Sequence, residues 1–223
     1  MGGFEDRVGA VIPAAGYSSR MGALKPLLPF GSSTAVETAV DLFLRSGIRD
    51  VVVVLGYRAG EIVPVLDARR IRWVLNHRYG AGMFSSVLAG MRCLGPDICA
   101  FFVLPVDLPG VRSETVGILL DVYQQNPHSV IRPRFGNRRG HPPLVPVRCV
   151  PRDIPADLPG GLRTLLRRYR DATIDVEVPD EGVIWNCNTP EEYRRIRASA
   201  ARQDAGEGFP RPFDDSAHPP ADR

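Results

Sequence analysis

Residues 51–55 read Val-Val-Val-Val-Leu. A strand with no polar side survives only where protein covers both of its faces, as in a central parallel sheet. The rest of the chain is punctuated so as to supply that cover. Residues 8–12 form a short apolar run that ends at a small-residue turn. Residues 71–75, 98–104 and 129–132 predict further strands. Between them, residues 34–45 carry Val36, Ala39, Val40, Phe43 and Leu44 at helical spacing until Gly47 stops the pattern. Residues 59–69 read as a helix that Pro64 shortens or kinks. Residues 85–92 start another after the Gly80–Gly82 loop, and Ser113 is the expected N-cap of a helix reaching about Gln125.

After Arg132 the rhythm changes. Residues 133–141 predict a basic, glycine-containing loop, 144–147 a strand, 162–169 a short helix and 174–178 a strand. A last helix opens at Thr189 or Pro190 and ends near Ala200, since proline is harmless in a first helical turn. Repeated strand–helix units predict a three-layer α/β, Rossmann-like fold, with a mostly parallel sheet and right-handed crossovers. Ligands in such sheets sit beyond the carboxyl ends of the strands.

Length suits one domain over residues 1–200, and residues 201–223 have too little apolar content to order themselves. Lys plus Arg number 28 against 25 Asp plus Glu, too balanced for a nucleic-acid partner. Cys93, Cys99, Cys149 and Cys187 form no C-x-x-C pair and no zinc spacing, so idle thiols in a reducing cytoplasm are expected. Glu5 and Asp6 interrupt any secretory signal, Asp6 breaks the myristoylation pattern after Gly2, and no apolar stretch has membrane-spanning length.

Three segments carry chemistry. Residues 13–26 read P-A-A-G-Y-S-S-R-M-G-A-L-K-P directly after the first strand. Ala14, Ala15 and Gly16 let backbone approach a ligand, and successive amides there make an anion nest. Arg20 and Lys25 add two cations, the first a fork and the second a point charge. The G-K-[ST] ending and G-x-G-x-x-G are both absent, and the same letters also suit an ordinary turn with surface cations. Asp107, in L-P-V-D-L-P-G-V, stands at the end of the fourth strand and suits magnesium or a turn cap. Residues 76–90 place Asn76, Gly80, Gly82 and Ser86 in a loop and helix start with free amides.

These segments together resemble the MobA-like nucleotidyltransferases of glycosyltransferase-A-like fold, whose loop reads A-A-G-x-S-x-R-M-G-x-x-K. The resemblance spans residues 8–200 and is nearest to the molybdenum cofactor cytidylyltransferases, through Ala14-Ala15-Gly16, Leu24 before Lys25, and the P-V-D-L-P run. It implies Arg20, Lys25 and Asp107 as catalytic residues. Ala14, Ala15, Gly16, Asn76, Gly80, Gly82 and Ser86 join Arg20 and Lys25 on the nucleotide. Mg2+ or Mn2+ falls to Asp107 and Asn188. The family's D-I-D-T-P-E-D or D-I-N-T-P-E-D stands here as N-C-N-T-P-E-E, with Asn186 in place of the usual Asp, so Asn188 offers a neutral oxygen, and it or Thr189 also suits a helix cap. The segment R-F-G-N-R-R-G-H resembles the family's acceptor loop, which points to Arg138, Arg139 and His141; a solvated basic loop reads equally from those letters.

The implied reaction is CMP transfer from CTP, with pyrophosphate leaving, to a phosphorylated acceptor, foremost the molybdopterin of the molybdenum cofactor. The partners are then small molecules, with a molybdoenzyme as a possible recipient of the product and neither nucleic acid nor membrane involved. Open alternatives are a sugar phosphate or methylerythritol phosphate as acceptor, GTP as donor, or a non-catalytic nucleotide-binding assembly factor. A glycosyltransferase would need the D-x-D pair that is missing around Asp107.

Overall fold

The computed structural model describes residues 7–18 and 21–204, the last six by backbone alone. Strand β1 (Val8–Pro13) lies at the centre, and the hairpin β2 (Pro29–Phe30) and β3 (Ser33–Thr34) follows it. Next come α1 (Ala35–Arg45), β4 (Asp50–Leu55), α2 (Ala59–Ala68), β5 (Trp73–Leu75), α3 (Met83–Met91), β6 (Ala100–Val103) and α4 (Ser113–Gln125). The distal part holds β7 (Val130–Phe135), β8 (Arg138–Arg139), β9 (Leu144–Pro146), α5 (Gly161–Arg167), β10 (Thr173–Glu177) and α6 (Pro190–Asp204). The main sheet runs β10-β7-β9-β6-β1-β4-β5, with β8 beside β7. The pairs β1–β4, β1–β6, β4–β5 and β7–β10 are parallel; β9 and β8 run against their neighbours. The expected three-layer, mostly parallel α/β fold is what forms.

Period-two alternation builds the layers. Val8, Ala10 and Ile12 of β1, Val51, Val53 and Leu55 of β4, and Ala100 and Phe102 of β6 share one core with buried residues of α1, α2, α4 and α6. Val11, Val54, Phe101 and Val103 face the other side, against α3 and α5. Both faces are dry, which is why residues 51–55 need no polar member. Helix α3 lies against β1 and β4 because Gly90 has no side chain. A Cβ there would collide with Val11 and stand 2.8 Å from the Val54 methyl. Gly90→Ala is therefore expected to cost about 1–3 kcal/mol by overpacking, read from urea unfolding.

Five expectations change. Strand β5 starts at Trp73 rather than Ile71, because the Ile71 amide is spent on Leu66 O, closing α2 around left-handed Arg70. Pro64 leaves α2 continuous to Ala68. Ser113 is the first residue of α4 rather than its cap; a carboxylate from far along the chain, Asp180, accepts from the Arg112 amide (2.9 Å) and the Thr115 hydroxyl (2.7 Å). Residues 133–139 are not a loop: Pro133–Phe135 extends β7, which turns at left-handed Gly136 into β8. Helix α6 also continues past Ala200 to Asp204. The remaining tail, 205–223, and the amino-terminal residues Gly2, Glu5 and Asp6 lie outside the described residues.

Candidate active site

The turn after β1 is held from one side by the turns after β4 and β5. Val54 O accepts from the Ala14 amide (2.8 Å), and Ala15 O accepts from the Tyr57 amide (3.1 Å). Gly56 allows this. A Cβ there would sit 2.8 Å from both the Ala15 methyl and Tyr79 Cγ, closer than atoms pack. Held so, the amides of Ala15, Gly16, Tyr17 and Ser18 donate to nothing among the described residues, which makes the turn a nest for an anion. Ser18 takes a left-handed conformation, and its hydroxyl accepts from the Lys25 amide at 3.1 Å, closing the loop behind the nest. Arg20 lies outside the described residues.

Lys25 begins a single 3-10 turn, Lys25–Leu27, and its ammonium reaches across the fold. It donates to Asn188 Oδ1 (2.7 Å) and Asp107 Oδ2 (3.4 Å), although the three residues are separated by 82 and 163 positions. The Asp107 carbonyl accepts from the Cys187 amide at 2.8 Å, which fixes residue 188 beside it. Thr189, not Asn188, caps α6: its hydroxyl accepts from the Glu192 amide (3.2 Å), while Glu192 Oε2 accepts from the amides of Asn188 and Thr189. That reciprocal cap leaves the Asn188 side chain to the site. Cys187 is buried, and desolvation pushes its thiol up to about 11, so it stays neutral beside these charges.

The nest, Lys25, Asp107, Gly80, Gly82 and Ser86 enclose a cavity of about 320 Å³. Asn76 is absent from its wall. That side chain is buried, and its amide bonds to Ser85, Ser86 and the Arg78 backbone. Tyr17 and Tyr79 close the open edge, their rings 5.4 Å apart, with Tyr57 behind Tyr17 at 5.2 Å. Sequence reasoning passed over these three tyrosines because they come from three different turns.

A second cavity of about 1100 Å³ adjoins the first at Gly82 and Met83. His141 and Arg139 line it, whereas Arg138 is exposed on β8 and does not. Successive residues of a strand point to opposite faces, so only one of the two adjacent, exposed arginines borders the cavity. Asp175 of β10 accepts from Arg132 Nε (2.7 Å) and Arg139 Nε (3.0 Å). Burial works against its charge, but the two guanidinium groups outweigh burial and hold the carboxyl below its ordinary value. Arg163, Arg167 and Arg170 add positive charge to the rim; their signal was the i, i+4 spacing of the first two on a helix.

Burial lowers the His141 imidazole below 6.5, more than Asp107 raises it, so the ring is neutral at neutral pH. The unfolded chain takes up this proton near pH 6.5 and the folded chain only at lower pH. The stabilising contribution is therefore complete above about 6.5 and declines as the pH falls toward the folded value. Urea unfolding from pH 7.5 to 5 should show this decline, and His141→Gln should flatten it.

Among known proteins, the model of the MobA-like NTP transferase domain matches residues 10–173. The nicotine blue oxidoreductase of Paenarthrobacter nicotinovorans is 31% identical over 204 residues, covering 85% of this chain and 96% of that protein. The molybdenum cofactor cytidylyltransferase of Escherichia coli (strain K12) is 26% identical over 187 residues, 83% and 93% of the two chains. A solved nucleotidyl transferase from Methanothermobacter superposes with a TM-score of 0.71 at 25% identity, covering 89% of this chain and 99% of that one.

Proposed function

The chain belongs to the MobA-like NTP transferase family, and from that premise we propose that it moves CMP from CTP onto a phosphorylated acceptor, foremost the molybdopterin of the molybdenum cofactor. One observation carries the reading: Lys25 and Asp107 line one cavity with an amide nest, Lys25 also reaches Asn188, and that cavity adjoins a larger, arginine-lined one. Arg20 is assigned to the same triphosphate by its place in the loop.

The residues present fit a hard divalent cation. Asp107 and Asn188 offer a carboxylate and an amide oxygen that already converge on a positive charge, the Lys25 ammonium. No group of three His, Cys, Asp or Glu gathers among the described residues, so Asp107 and Asn188 would hold Mg2+ or Mn2+ together with phosphate oxygens and water. When bound, the ion withdraws charge from the phosphates under attack.

The chain's own residues do the rest by positioning. The amides of residues 15–18 and Lys25 hold the β- and γ-phosphates. Arg139, steadied by Asp175, and neutral His141 hold the acceptor. An oxygen of the acceptor phosphate forms a bond to the α-phosphorus as the bond to the β-phosphate oxygen breaks. A phosphate monoester is largely ionised at neutral pH and needs no strong base. The protein partner implied is a molybdoenzyme that takes up the product.

The test is pyrophosphate release from each of the four ribonucleoside triphosphates, with and without Mg2+ or Mn2+, against molybdopterin, a sugar phosphate and methylerythritol phosphate. CTP with molybdopterin should lead. A second reading draws on the oxidoreductase relative, because the same nest suits the diphosphate of a dinucleotide. Oxidation of a reduced nicotinamide dinucleotide, without pyrophosphate release in any arm, would overturn the transferase reading.

A further inference from the structure

We propose that Asn76 is a positioning residue that turns the Ser86 hydroxyl into a hydrogen-bond donor for the base, so that the base presents a lone pair at that point. The inference rests on the transferase reading of the smaller cavity. It starts from the orientation of a buried amide. The Arg78 backbone N–H donates to one end of the Asn76 amide at 2.9 Å. A backbone N–H can only donate, so that end is the oxygen, and the nitrogen faces the two serines. Asn76 Nδ2 then donates to Ser85 Oγ (2.8 Å) and Ser86 Oγ (3.0 Å).

The two serines use that gift differently. Ser85 has its own acceptors within reach, Gly82 O at 2.7 Å and the more distant Arg78 O at 3.0 Å, and the Ser85 amide also donates to Gly82 O at 3.1 Å. A carbonyl oxygen has two lone pairs, and with the shorter hydroxyl contact made both are taken at Gly82 O. Gly82 O is also the carbonyl four residues before Ser86, the usual outlet for a serine hydroxyl in a helix. Ser86 therefore accepts from Asn76 but has no acceptor for its own proton among the described residues. It is buried at 3% exposure and lines the cavity opposite the nest. A buried O–H without an acceptor is costly, so the base that binds best supplies one.

The class of ligand follows. A ring nitrogen lone pair or an exocyclic carbonyl oxygen, both present on cytosine, satisfies the proton. A ring N–H at the same point engages only the remaining lone pair and strands the proton.

The experiment is calorimetric binding of CTP and of tripolyphosphate, which has no base, to the full chain and to Ser86→Ala, Asn76→Asp and the double variant. An aspartate at 76 accepts from Ser86 and so turns its proton away from the base. Each single variant should weaken CTP by about 5- to 150-fold and leave tripolyphosphate unchanged, and the double variant should be no weaker than the worse single one. Equal losses for CTP and tripolyphosphate, unchanged CTP binding, or losses that multiply in the double variant would each overturn the inference. Should Asn76→Asp not fold, Asn76→Ala takes its place in the cycle, with the same coupling expected. Failure of the unaltered chain to bind either ligand would instead remove the transferase reading, and the inference with it.

Discussion

Lys25→Ala should lower pyrophosphate release by about 10²–10³-fold with the fold intact, because it removes a preorganised charge from the point where charge accumulates on the leaving group. The ammonium is held between two oxygens, 2.7 Å from Asn188 Oδ1 and 3.4 Å from Asp107 Oδ2, so it pays little reorganisation when the triphosphate arrives. Asp107→Asn should produce a loss of similar size with a different signature. Turnover should recover partly as Mg2+ is raised, since an amide oxygen still coordinates but no longer neutralises. Both side chains are partly open to solvent, at 15% and 25%, so neither loss should be accompanied by unfolding. Circular dichroism and urea midpoints check that condition. Near-normal rates in both variants would dismantle the site.

The second large effect is on stability and lies outside the catalytic residues. Asp180→Ala is expected to cost about 3–5 kcal/mol, the usual penalty for removing one side of a buried charged arrangement. Asp180 is 1% exposed. It accepts from the Arg112 amide (2.9 Å), the Thr115 hydroxyl (2.7 Å) and the Gly182 amide (3.0 Å), and it lies 3.5 Å from the Arg112 guanidinium. These partners tie the start of α4 to the segment beyond β10, from which His141 also draws a backbone bond through Val183 O. Alanine strands several buried donors at once. Each kcal/mol corresponds to about 2–4 °C of melting temperature in a chain of this size. Asp180→Asn, which keeps an oxygen for two of the three donors, should fall between. A melting temperature unchanged by alanine would show that water replaces the carboxylate.

Sequence reasoning reached the layers and the order of elements because apolar periodicity reports which faces are dry. It went wrong where a distant group did a local job. Ser113 looks like the cap of α4 by residue type, yet Asp180, reached only through the fold, satisfies that helix end. The arginines of residues 134–139 look like a solvated basic loop, yet Asp175 and Glu177 on β10 pair with Arg139 and Arg134 where a hairpin forms.

The same division runs through the site. Small residues at 14–16, a lysine nine residues beyond Gly16 and an aspartate closing a hydrophobic strand are readable as letters, because local backbone freedom and charge are properties of residue type. Which of them meet is a matter of closure. Lys25 finds Asn188 only because the Cys187 amide is bonded to the Asp107 carbonyl and Thr189 rather than Asn188 caps the last helix. Hydrogen bonds between residues more than 80 positions apart depend on chain topology and burial, and no local pattern encodes those.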